Sequence, residues 1–431
     1  VQSGLSTTLI RKDKVDNIDY NNGFFTGFGI ALLCYMVFFF GAPRIADFYN
    51  EQLLTPVLRI QMLSLFLIAF GNIQTVIITR EFRFRELCIA NIIANSISGI
   101  MGVVLAYLGF GVWALVFYTL LRDGISSFVL FIRIKWFPGV TIDRSRMKSL
   151  LGFSVWVLSA TLVDFIGNNY SSTMMGKRYS LSELRLYNKG NQIPEMICLY
   201  TFGAIGSVLL PTLSKYQNDN HALKHVCKRM VQMSGFIIFP MMTGLGLIAS
   251  KLVPFLFTEK WNASIPVYIF ACIYFGMNPL RLINMQLIYA LGRSKKGLLI
   301  EIIRAVLLIT GVSVCAFVFK TSIYGISGVA AAVSVINVMI TQFFARKFIG
   351  YGYKELITDM LPAVVLCIVM AIAVIAAGHL PLHPYVLMFL QIFTGGSCRE
   401  FSRRVQIMQP STQGGSMVWI SAMKHAQKWK L

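Results

Sequence analysis

Apolar runs of about 20 residues, long enough to cross a bilayer as a helix, recur eleven times along this chain. They lie near 22–42, 53–79, 87–108, 111–132, 149–176, 192–214, 230–256, 262–290, 297–319, 322–345 and 357–379. Short polar and basic segments separate them. A twelfth run opens at Pro384, breaks at Gly395 and Gly396, and is too short to span. The pattern predicts an all-α polytopic membrane protein with eleven complete spans and a partial one.

Composition agrees with that reading and excludes a soluble multidomain chain. Of 431 residues, 56% are hydrophobic and only 13% are charged, about half the charge density of soluble domains, and the mean hydropathy is +0.66. The net charge of +21 could point to nucleic acid. Its placement points to a membrane surface, because the cations cluster between apolar runs and no recognition motif accompanies them. With residues 1–21 placed inside, the inner connections carry 21 Lys and Arg and the outer ones 7. Retention of cations on the cytoplasmic side predicts that orientation.

Segment boundaries follow. Residues 1–132 form a first helical lobe, 133–148 a basic inter-lobe loop on the cytoplasmic side, and 149–346 a second lobe. Residues 347–396 add one helix and a broken one. Residues 397–431 change abruptly to Ser, Gln, Arg and Lys without apolar periodicity, which predicts an aberrant or disordered tail. At the other end Gly4-Leu-Ser-Thr7 resembles the exit of a helix cut away, so truncation at both ends is expected. The eight cysteines include no CxxC pair and read as small hydrophobes. His221 and His225, and His379 and His383, read as loop histidines, and no metal or cofactor site is expected.

A weak internal repeat is visible. Basic loop, apolar helix and Gly109-Phe-Gly-Val-Trp-Ala-Leu-Val116 in residues 80–116 are echoed by residues 293–331, which end in Tyr324-Gly-Ile-Ser-Gly-Val-Ala-Ala331. At nearly the same offset Ala42-Pro-Arg-Ile-Ala-Asp-Phe48 echoes Ala249-Ser-Lys-Leu-Val-Pro-Phe255. Two pseudo-repeated helical lobes around a central cavity would produce this pattern.

Charges deep in a span cost free energy unless they face a partner or a wet cavity. Arg122 and Asp164 lie near the middle of their runs, whereas Arg59, Arg281 and Arg304 are shallower. Asp164 and Asn168 share a helical face at i and i+4, and Asn169 extends the polar stripe. That stripe is either a cavity wall for a sugar or a coupling cation, or a clamp between helices. Glu301 stands three residues before Arg304, so a same-helix ion pair competes with a cavity role. Arg281 follows Pro279 in Met277-Asn-Pro-Leu-Arg-Leu-Ile-Asn284, where a proline-freed carbonyl predicts a kinked or unwound segment. Pro240 with Gly244-Leu-Gly246 marks another bend. Guanidinium groups in a low-dielectric chamber would suit the pyrophosphate of a lipid-linked sugar.

An enzyme is not expected. The longest outer connection, 177–191, carries no His, no paired carboxylates and no nucleophile motif, and no nucleotide-binding motif is present.

Gly4-Leu-Ser-Thr-Thr-Leu-Ile10 with Arg11-Lys12, Arg80-Glu-Phe-Arg-Phe-Arg85, Leu186-Tyr-Asn188, Leu210-Pro-Thr-Leu-Ser-Lys-Tyr-Gln-Asn-Asp219, and Phe239-Pro240 with Leu252-Val-Pro-Phe-Leu-Phe257 and Glu259-Lys-Trp-Asn262 carry a resemblance. Together they resemble bacterial polysaccharide flippases of the multidrug/oligosaccharidyl-lipid/polysaccharide exporter superfamily, especially the colanic-acid exporter type, over residues 1–396. The resemblance implies two lobes about a cationic cavity, an inner-membrane location, and a lipid-linked oligosaccharide on undecaprenyl pyrophosphate as cargo. It implies membrane lipids as surroundings and a polysaccharide polymerase and export machinery as candidate partners. Arg59, Arg122, Asp164, Asn168, Asn169, Arg281 and Arg304 are then the candidate cavity residues. A drug/cation antiporter or peptidoglycan-precursor flippase of the same superfamily, and a membrane-integral polymerase or ligase, are the alternatives.

Overall fold

A computed structural model describes residues 2–12, 15–49, 51–141, 143–319 and 321–378. The described residues are predominantly helical, with no strand among them. In order they form α1 (Gln2–Arg11), α2 (Asn17–Tyr49), α3 (Leu54–Gln61), α4 (Ser64–Arg80), α5 (Phe84–Tyr107), α6 (Val112–Ile134) and α7 (Arg144–Arg178). There follow α8 (Leu181–Lys215), α9 (Asn220–Leu247), α10 (Ala249–Phe257), α11 (Ile265–Ala290), α12 (Ser294–Ser313), α13 (Ile323–Ile349) and α14 (Tyr353–Gly378). Eleven stretches among the described residues are long and apolar enough to cross a membrane, α3 and α4 counting as one. They coincide with the eleven expected runs. The chain is a multi-pass membrane protein. The expected partial run beyond Pro384, the tail at 397–431 and His379 and His383 lie outside the described residues.

Local signals set the helix starts. Asp143 accepts from the backbone N–H groups of Ser145 and Arg146 at the head of α7, and Asp219 does the same for His221 and Ala222 at the head of α9. His221 and His225 therefore sit in helix α9 rather than in a loop. Ser180 and Glu183 cap α8 reciprocally. Only Tyr179 and Ser180 separate α7 from α8, so the expected outer connection over 177–191 is helix, with a two-residue joint. Apolar run length reports bilayer thickness, and these helices continue past it with polar faces.

The internal repeat is real at the level of packing. In the first lobe α4 packs on α1, α2 and α6, and α6 packs on α5. In the second, α11 packs on α8, α9 and α13, and α13 packs on α12. The turns before α5 and α12 match bond for bond. Arg83 N donates to Ile78 O at 2.9 Å and Arg293 N donates to Ile288 O at 3.0 Å. The left-handed position is Gly292 in one copy, with φ of 74°, and Phe82 in the other, with φ of 57°. Residues 1–21, placed together on the inner side by the hydropathy pattern, include α1, whose Leu5 and Leu9 are buried. α1 bridges the lobes, packing on α4 and on α7, α8 and α11.

The bridge is tight on the side where basic residues concentrate. A Cβ at Gly4 would fall 2.6 Å from the Ser154 carbonyl oxygen on α7, and the Thr8 and Ser154 hydroxyls lie 2.7 Å apart. Arg11 Nε donates to Ala290 O at the end of α11. Arg80 Nη1 donates to Leu9 O and Ile10 O, closing the end of α1. Asn21 and Asn22 of α2 hold the inter-lobe loop through Gly139 N, Thr141 Oγ1 and the backbone of Asp143.

Pro279 does not unwind α11, which runs unbroken from Ile265 to Ala290. The carbonyl that a proline leaves without its helical donor, that of Phe275, is taken up by the Cys198 thiol of α8 at 3.3 Å. α9 likewise continues through Pro240 and gives way at Ile248, between Leu247 and Ala249.

Candidate membrane cavity and its ion-pair ring

Three helices of the second lobe bring charged side chains to one place. α7 supplies Asp164 and Asn168 one turn apart, α11 supplies Tyr274, Asn278 and Arg281 along one face, and α12 supplies Glu301 and Arg304. At Gly167 α7 lies against α12, a Cβ position there standing at ordinary contact distance, 3.4 Å from Arg304 Nη2 and 3.5 Å from Ala305 Cβ.

The four charges close into a ring of alternating sign. Arg304 Nη2 donates to Asp164 Oδ1 at 2.6 Å and Arg304 Nε to Glu301 Oε2 at 2.8 Å. Arg281 Nη1 donates to Glu301 Oε1 at 2.6 Å and lies 3.4 Å from Asp164 Oδ1. Amides and a phenol complete the shell. Arg304 Nη1 and Tyr274 OH both donate to Asn168 Oδ1 at 3.0 Å. Asn168 Nδ2 donates to Asp164 Oδ2, and Arg281 Nε donates to Asn278 Oδ1. Burial is graded, with side-chain exposure of 3% for Glu301, 4% for Arg304, 13% for Arg281 and 29% for Asp164. Glu301 and Arg304 are therefore the dry half of the ring, and Asp164 and Arg281 are its wet face.

That wet face forms part of the wall of a cavity of about 1040 Å³, the upper end of the range for small-molecule pockets. α7, α8 and α11 make the walls, with Leu308 of α12 and Ser327 and Ala330 of α13 behind them. The lining combines amides (Asn168, Asn188, Asn278, Gln192) with aromatic rings (Tyr187, Trp261, Tyr274). Amides paired with ring faces are the chemistry that sugars use, hydroxyls bonding to amides and C–H faces lying on rings.

The sequence-derived candidates divide accordingly. Asp164, Asn168 and Arg281 line the cavity beside Arg304, and Asn169 lines it while its Nδ2 donates to Phe165 O. Arg122 and Arg59 stand apart in the first lobe. Arg122 Nε and Nη2 both donate to the neighbouring Asp123 Oδ1, at 3.0 and 2.9 Å. Arg59 donates to Phe39 O and lies 4.3 Å from the Phe39 ring centroid. Arg281 and Arg304 are both matched by carboxylates, and the same-helix pair of Glu301 with Arg304, one of the two readings offered by the sequence, is formed. Arg185, Lys189 and Glu195, none of them among the sequence-derived candidates, line the cavity as well. Glu195, a carboxylate inside an apolar run, was the signal available for it. Arg185 and Lys189 were hidden by reading 177–191 as a loop.

Comparison with known proteins fits this architecture. A family model described as polysaccharide biosynthesis protein matches residues 1–266. The chain belongs to that polysaccharide biosynthesis family. Relatives include the teichuronic acid biosynthesis protein TuaB of Bacillus subtilis, 23% identical over 411 residues, spanning 92% of this chain and 83% of the relative. The lipopolysaccharide biosynthesis protein WzxC of Escherichia coli is 21% identical, spanning 83% of this chain and 73% of its own. Among solved structures, the lipid II flippase MurJ in an inward closed conformation superposes with a TM-score of 0.64 at 15% identity, covering 93% of this chain and 87% of its own. That likeness shows the fold: this family member has the two-lobed helical architecture of that transporter.

Proposed function

We propose that this protein is a flippase that moves undecaprenyl-pyrophosphate-linked oligosaccharide repeat units across the bacterial inner membrane by alternating access, for capsule, exopolysaccharide or O-antigen synthesis. One observation carries the reading: a cavity of about 1040 Å³, lined by amides and aromatic rings of the second lobe's membrane-spanning helices. A lipid-linked sugar needs a wet chamber for its head group beside lipid for its tail, and the cavity supplies the chamber. The repeated lobes, joined through α1, supply two bodies that can rock against each other. The names of the relatives support the direction of the proposal, since TuaB is a teichuronic acid biosynthesis protein, WzxC a lipopolysaccharide biosynthesis protein and MurJ a lipid II flippase.

The test is genetic and chemical together. In a strain lacking its flippase, this chain should restore surface polysaccharide, and without it complete lipid-linked units should collect on the inner leaflet. Display of single unpolymerised units on the outer face after loss of this protein would instead identify a polymerase and end the proposal.

A further inference from the structure

The cations of the cavity fall into two sets. Arg281 and Arg304 belong to the closed ring, whose two carboxylates cancel their charge. A pyrophosphate or carboxylate arriving there would have to displace Asp164 or Glu301. Arg185 and Lys189 are different. They project from α8 one turn apart, with Cβ atoms about 5–6 Å from each other, and both line the cavity. Among the described residues neither has a carboxylate within ion-pair distance.

What surrounds Lys189 is aromatic. Its Nζ lies 3.9 Å from the Phe257 ring centroid and 5.6 Å from that of Trp261. Ring faces hold an ammonium group in position and partly strip its water without neutralising it. The backbone beneath is fixed as well. Gly190 lets α8 press against α11, where a Cβ would come within 2.7 Å of Val267 Cγ1 and 3.1 Å of Ser264 O. A held, partly desolvated and unneutralised cation meets an incoming oxyanion at little reorganisation cost. Along the same face of α8 follow Asn188 and Gln192, which line the cavity too. The cation pair is thus continuous with the amide and ring surface suited to sugar. Arg185 stands about 15 Å and Lys189 about 9 Å along the helix from Glu195, toward the α7–α8 joint on the outer side.

We propose that Arg185 and Lys189 form an oxyanion clamp at the outer mouth of the cavity, which selects glycans that carry acidic groups, such as uronic acid carboxylates, over neutral ones. The clamp rests on the transport reading above and names the substrate class of that cavity. The diphosphate of a lipid carrier offers the same oxyanion chemistry, so the test separates the two sources.

The experiment measures binding to the full chain in lipid nanodiscs. The probes are a glucuronate-containing tetrasaccharide, its carboxyl-reduced neutral counterpart, and farnesyl diphosphate. The wild type should prefer the acidic tetrasaccharide by about tenfold, the value of one charge-assisted hydrogen bond. Arg185→Gln with Lys189→Gln should bring that ratio to about one through weaker binding of the acidic tetrasaccharide. Arg185→Lys with Lys189→Arg should keep the preference, which shows that charge rather than fold is read. A preference unmoved by the double Gln variant overturns the clamp, and so does a loss confined to farnesyl diphosphate. A wild type that binds the two sugars equally removes the clamp alone. A wild type that binds neither sugar removes the transport reading and the clamp with it.

Discussion

Asp164 on α7 and Arg304 on α12 meet at 2.6 Å, and the same guanidinium donates through Nε to Glu301 at 2.8 Å. One buried arginine therefore bridges carboxylates from two helices, and Arg281 supplies the second positive charge that balances them. This ring ties α7 to the α11–α12 pair in a segment where an unpaired charge is costly. Removing Arg304 leaves Asp164 and Glu301 sharing Arg281 alone. Arg304→Met should lower stability by about 3–5 kcal/mol, read as a fall in thermal midpoint in detergent. Adding Glu301→Gln should recover part of that loss, and strict additivity would show the ring is not a coupled unit.

Two guanidinium groups face Asp164 Oδ1, at 2.6 and 3.4 Å, so the position a coupling cation would take is filled by the protein's own cations. Export should run equally in sodium and potassium media. A sodium requirement that disappears in Asp164→Asn would show that the ring opens during the cycle and would favour an antiporter.

Gly292 combines a left-handed backbone with contact to the Arg11 guanidinium, which a Cβ would strike. Gly292→Ala should cost about 1–2 kcal/mol for the backbone alone, with a further loss because Arg11 must leave Ala290 O. In an Arg11→Ala background the second loss should vanish, so the measured cost of Gly292→Ala should shrink.

Arg11, Thr8 and Gly4 seat α1 against the second lobe over Ser154, which is buried. With native cysteines replaced, a thiol at Ser154→Cys should react slowly with a membrane-impermeant maleimide from the cytoplasmic side. Arg11→Ala should speed that reaction several-fold. Equal rates would mean that α1 is not what closes this side.

Hydropathy alone located all eleven spans, because a bilayer imposes one length scale on every crossing helix. It misjudged what lies between them. The Ser180–Glu183 capping box was available as a helix start, but the polar residues after it read as loop, and so Arg185 and Lys189 went unnoticed. Asp164 with Asn168 was legible from its i, i+4 spacing. The pairing of Arg281 with Glu301 was not, because the two lie on different helices and only packing decides which faces meet. Arg122 looked isolated by depth alone, although Asp123 beside it holds it. The carbonyl at Phe275 could be foreseen from Pro279, but its acceptance of the Cys198 thiol depends on the approach of α8.

Arg11 donates to the Ala290 carbonyl, and Arg80 to the Leu9 and Ile10 carbonyls, where α1 ends. Carbonyl oxygens do not titrate in the physiological range, and a guanidinium stays protonated there. Acidification of the cell interior would leave these three carbonyl contacts in place.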